Sequence, residues 1–128
     1  MLAAMKAIAL LLALLTTAGS AAAALETPGP AADAPVYVIP VHGQIEGALL
    51  YVLRRGFAEA EQQQAAAIVL RMDTPGGTLH AASEIVRSIQ ASPVPVYTFV
   101  EKDAFSAGAI IALATKAIYM APGAVIGD

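Results

Sequence analysis

The chain has 128 residues, is 58% apolar, carries a formal charge of −3 and contains no cysteine. The acidic balance argues against a nucleic-acid surface, which needs clustered Lys and Arg, and the missing thiols exclude disulfides, a cysteine nucleophile and Cys-based metal sites. With an N-terminal leader set aside, about a hundred residues remain, enough for one domain core.

Lys6 precedes the apolar run Ala7–Leu15, and small residues dominate Thr16–Ala24, the order of a secretory signal peptide over residues 1–24. The run is shorter than the roughly 20 apolar residues that span a bilayer. Export with cleavage between Ala18 and Ala24 is expected, an uncleaved anchor being the alternative. Without Lys6 the balance is 6 basic against 10 acidic residues, a net of −4. Residues 25–35, with Pro28, Gly29, Pro30 and Pro35, read as a flexible linker.

The domain is expected over residues 36–128. Val36–Ile39 is a β-branched and aromatic strand, and Pro40 puts its end near a sheet edge or terminus. His42-Gly43-Gln44 turns the chain. From Ala48 to Gln64, Leu50, Leu53, Phe57 and Ala60 recur at intervals of three and four, one face of a helix that packs on the sheet. Ala67–Leu70 is a continuous apolar run, expected to be buried on both faces and closed by the turn Asp73-Thr74-Pro75-Gly76-Gly77. Thr78–Ala91 returns to helical spacing until Ser92-Pro93 stops it. Val94–Val100 is a third strand, 101–105 a connection, Ser106 to about Ala114 a short helix, and Ala117–Met120 a fourth strand. This alternation predicts an α/β fold with a mostly parallel sheet and right-handed crossovers. The last strand has no helix after it, so the domain reads as truncated at its C-terminus.

Sites in open parallel sheets form at the carboxyl ends of strands, where both Met72-Asp73-Thr74-Pro75-Gly76-Gly77 and Phe105-Ser106-Ala107-Gly108 fall. The glycine pair can be a tight turn or can leave backbone N–H groups free. Ser106 can be a helix N-cap or a nucleophile whose hydroxyl lies in the field of the helix dipole. Together the two stretches suggest a nucleophile and an oxyanion hole. No H-E-x-x-H, G-x-x-x-x-G-K-[ST] or G-x-G-x-x-G pattern occurs, so neither metal nor cofactor is expected.

These stretches, followed in order by Met120-Ala121-Pro122-Gly123 and Ile126-Gly127, resemble the ClpP/crotonase-like serine peptidases. Within them they look most like the membrane-bound NfeD long-form, ClpP-class proteases, over Val36–Asp128. The resemblance implies that Ser106 is the nucleophile, that the N–H groups of Gly77 and Ala107 form the oxyanion hole, and that Gly76 and Thr78 line the bound substrate strand. It also implies a membrane-associated, extracytoplasmic, homo-oligomeric endopeptidase acting on hydrophobic segments of membrane proteins, with stomatin-like partners.

The family pattern is a Ser-Lys dyad, and its lysine is expected beyond this region. Lys116 lies roughly 15 Å along the helix axis from Ser106 at 1.5 Å per residue. Lys102 is expected in a solvated connection, where a lysine is protonated and a poor base. His80 and His42 read as surface or capping residues. The 128 residues alone are therefore expected to be inactive. Two alternatives compete: a crotonase-type acyl-CoA enzyme, disfavoured by the leader, and a catalytically silent scaffold that binds extended peptides.

Overall fold

A computed structural model describes residues 29–128. The leader expected over residues 1–24 lies outside them. The elements run β1 (Val36–His42), α1 (Gly47–Gln62), β2 (Ala67–Thr74), α2 (Leu79–Ala91), β3 (Val96–Phe105), α3 (Ala107–Leu113), β4 (Ile118–Met120) and β5 (Val125–Gly127).

All recorded strand pairings are parallel, in the order β1-β2-β3-β4, with β5 continuing the β4 edge of β3. Strands added in chain order by right-handed crossovers leave their helices on one face. Burial follows that geometry. Rows across the sheet, Ile39–Leu70–Thr98 and Val41–Met72–Val100, are buried beneath Leu50, Leu53, Phe57 and Ala60 of α1 and Ala82, Ile85 and Ile89 of α2. Val36, Val38 and Tyr119 are exposed, and Tyr97 and Phe99 are half-buried.

The expectation that Ala67–Leu70 is buried on both faces is corrected. Ile68 and Leu70 are fully buried while Ala67 and Val69 are only partly so, because the helices cover one side. Pro40, which has no N–H to donate, lies within β1 rather than at its end, and β1 is an edge strand that tolerates it.

Two strands run further than their propensities indicate. β2 continues through Met72-Asp73-Thr74, and β3 through 101–105. Between Met72↔Val100 and Thr74↔Ala104 two steps on β2 match four on β3, a bulge of the kind that re-aims a strand near a site. Beyond it, Asp103–Phe105 pairs with Val125–Gly127. Lys102 is therefore in a strand, not in a connection.

Among the described residues, no helix is long and apolar enough to cross a membrane. Leu53 is fully buried where α1 meets the sheet. Leu53→Ala should destabilise the domain by about 2–5 kcal/mol, read as a lower urea midpoint at unchanged slope.

Candidate active site

Ser106 stands between the end of β3 and the first turn of α3, with φ 50° and ψ −115°. For a residue with a side chain that backbone costs on the order of 1–3 kcal/mol and persists only where the surroundings impose it. β5 supplies one constraint: the Ser106 N–H donates to Gly127 O at 2.7 Å. α3 supplies another, its Ile110 N–H donating to Ser106 O at 3.2 Å. Ser106 occupies the N-cap position, yet its side chain makes no capping hydrogen bond. Its hydroxyl is exposed and uncommitted to the helix.

The Gly76-Gly77 loop packs directly on this elbow. A Cβ on Gly76 would stand 2.9 Å from both Phe105 O and the Ser106 Cβ, and 3.4 Å from the Ala107 N. Gly76 also has φ 103°, left-handed backbone that L side chains rarely adopt. The glycine is thus required twice, by conformation and by contact with the serine.

Gly77 is held from the other side by Ile45. Ile45 N–H donates to Gly76 O and Thr78 N–H donates to Ile45 O, each at 2.9 Å, a parallel bridge. In that pattern both polar groups of Ile45 face the loop, so the N–H and C=O of Gly77 point away from it. The Gly77 N–H meets no hydrogen-bond acceptor among the described residues, nor does that of Ala107, the first residue of α3. Two such donors, on segments in van der Waals contact beside a serine hydroxyl, are chemically suited to hold an oxygen that gains negative charge.

The absence of a side chain at Gly77 has its cause within the fold. A Cβ there would lie 2.2 Å from Ile45 O and 2.6 Å from Ile45 N, so the fold itself excludes one. Thr78 is similarly engaged: its N–H is in the bridge, and its Oγ1 accepts from Ala81 N–H at 3.2 Å as the cap of α2.

Lys116 begins beside the start of β3, its N–H donating to Val96 O, at the opposite end of the strand from Ser106. The Lys102 side chain is 73% exposed, with Nζ 3.9 Å from Asp103. His80 is exposed on the first turn of α2. His42 Nε2 lies 3.5 Å from Glu101, which also faces Arg71. Among the described residues, no three His, Asp or Glu side chains converge as a metal site would require. A shallow pocket of about 300 Å³ opens beside Ser106, lined by Ala109, Ile110, Gly127 and Asp128.

Ile45 and Thr74 were not singled out from the sequence. Thr74 had a signal: it continues the inward alternation Ile68, Leu70, Met72 with a polar residue. Ile45 had little, one apolar residue between a turn and a helix.

The family model for the NfeD1b N-terminal domain matches residues 35–128. The chain is 44% identical over 92 residues to membrane protein NfeD1b of Bacillus subtilis, covering 72% of this chain and 21% of that protein. It is 43% identical over 95 residues to the membrane-bound protease PH1510 of Pyrococcus horikoshii, covering 72% and 22%. The chain thus spans about a fifth of the length of these curated relatives. Among solved structures, the 1510-N membrane protease specific for a stomatin homolog from Pyrococcus horikoshii aligns at TM-score 0.70 and 42% identity, over 75% of this chain and 50% of that one. A mutant of that stomatin-specific protease in complex with a substrate peptide aligns at TM-score 0.72 and 42% identity, over 75% and 45%. A ClpP1 mutant from Listeria monocytogenes, 22% identical with TM-score 0.59 over 61% and 46%, shares the fold.

Proposed function

Because the chain belongs to the family of NfeD1b N-terminal domains, we propose that it contributes the nucleophile and oxyanion hole of a membrane-associated serine endopeptidase of the ClpP class. The observation that carries this reading is the strained Ser106, uncapped and exposed, packed against a loop whose Gly77 N–H has no acceptor among the described residues. In the proposed reaction the Ser106 Oγ attacks a peptide carbonyl and passes its proton to a base. The carbonyl oxygen becomes an oxyanion held by Gly77 N–H and Ala107 N–H. Collapse then expels the amine with a proton, and water hydrolyses the resulting acyl-serine.

The base is proposed to be a lysine outside residues 1–128. The remoteness of Lys116 and the exposure of Lys102 support that. An effective lysine base needs burial to lower its proton affinity. The proposed substrates are hydrophobic segments of membrane-associated proteins, a stomatin-like protein among them, since the solved 1510-N relative is described as specific for a stomatin homolog. Export by the leader, action on the extracytoplasmic side and a homo-oligomeric state complete the proposal.

The pocket beside Ser106 offers an apolar wall, with Ile110 44% exposed. In the intact protein, mass spectrometry of a digested peptide library should find cleavage next to aliphatic residues. Ile110→Glu should weaken that preference by about 10-fold or more in kcat/KM, the scale of one to three kcal/mol of pocket complementarity. Uniform cleavage irrespective of neighbouring side chains, unchanged in the variant, would remove the hydrophobic-segment assignment.

A further inference from the structure

We infer that Thr74 is a positioning residue for the loop that carries the Gly77 N–H, an inference that rests on the serine-protease reading above. Thr74 is fully buried at the next inward position after Ile68, Leu70 and Met72. A valine would fill nearly the same volume, so hydrophobic packing does not account for a hydroxyl there. The hydroxyl has one proton and two lone pairs. Its proton goes to Gly43 O, at 2.6 Å, and its oxygen accepts the Gly76 N–H, at 3.0 Å.

One atom therefore ties the turn that leaves β1 to the loop that leaves β2. Gly43 N–H closes the same junction by donating to Asp73 O at 3.1 Å. From Gly43 the chain reaches Ile45, whose backbone bridges Gly76 and Thr78, so the ring of contacts returns to the loop. The methyl group of Thr74 meets the nucleophile helix, its Cγ2 lying 2.6 Å from where a Cβ on Gly108 would stand. Thr74 thus sets the left-handed Gly76 and, through it, the direction of the Gly77 N–H relative to Ser106. Because it acts through the loop, its loss should weaken transition-state stabilisation more than substrate binding.

The test uses the intact protein with Thr74→Val, Thr74→Ser and Ser106→Ala, following peptide cleavage and amide hydrogen exchange at Gly76. Thr74→Val should lower kcat by about 10- to 100-fold with KM within about threefold, as expected when a donor is misplaced. Thr74→Ser, which keeps the hydroxyl, should stay within about threefold of wild type and keep Gly76 protected, whereas valine should lose that protection. Unchanged kcat in the valine variant, or a serine variant as impaired as valine, overturns the inference. If valine prevents folding, an unprotected Gly76 amide in wild type, or a serine variant reduced about tenfold or more, overturns it equally. Ser106→Ala separates the two claims. If it cleaves normally the protease reading goes, and if it is inactive while Thr74→Val is not, only the role of Thr74 goes.

Discussion

Replacing Ser106 with alanine in the intact protein should lower peptide cleavage by roughly 10⁴- to 10⁶-fold, the scale on which removing an acyl-transfer nucleophile acts. The fold should be almost unaffected. An ordinary N-cap deletion costs about 0.5–2 kcal/mol because a side-chain bond to the helix is lost, and Ser106 makes no such bond. Ser106→Gly should be equally inactive yet more stable than Ser106→Ala by about 1 kcal/mol, since glycine adopts φ 50° without the penalty borne by either side chain. Cleavage rates and urea midpoints measured together decide the matter. Normal turnover by the alanine variant means that the hydroxyl is not the nucleophile, and a glycine variant less stable than alanine means that the elbow is not strained.

Gly77→Ala should lower kcat by about 10²- to 10³-fold, the scale of losing one oxyanion donor. It should also destabilise the domain by about 1–3 kcal/mol through overpacking. The new methyl would meet the backbone O, N and C of Ile45 at 2.2, 2.6 and 2.7 Å, and backbone cannot swing aside as the end of a side chain can. The bridge must open, and the direction of the Gly77 N–H changes with it. Gly47→Ala is the control: a Cβ there meets nothing within 4 Å, and neither activity nor stability should change appreciably. Equal behaviour of the two variants would detach the bridge from function.

Leu50, Leu53, Phe57 and Ala60 reveal α1 because a helix buries one stripe, and a stripe is a local pattern in the chain. The alternation of such helices with β-branched runs predicted the parallel α/β class for the same reason. The glycine pair and Ser106 could be singled out as candidates because few residue types serve tight turns, free N–H groups or nucleophilic attack. Their order along the chain was enough to indicate the family.

The extension of β3 through Glu101, Lys102 and Asp103 was not legible, since charged residues have low strand propensity and the strand is fixed there by pairing that resumes past the bulge, Asp103 with Val125 and Ala104 with Thr74. The roles of Ile45 and Thr74 were hidden likewise. Local pattern thus determined which segments become helices and strands and which residue types could do chemistry. Tertiary structure decided which face of the sheet is covered, why Gly77 can bear no side chain, and that Ser106 is held in a strained backbone with its hydroxyl unspent. Each of these depends on contacts between residues distant in the chain: Gly127 with Ser106, Ile45 with Gly77, and Thr74 with Gly43. A backbone angle of φ 50° at a serine is unfavourable taken alone, and only those surrounding hydrogen bonds make it the native conformation.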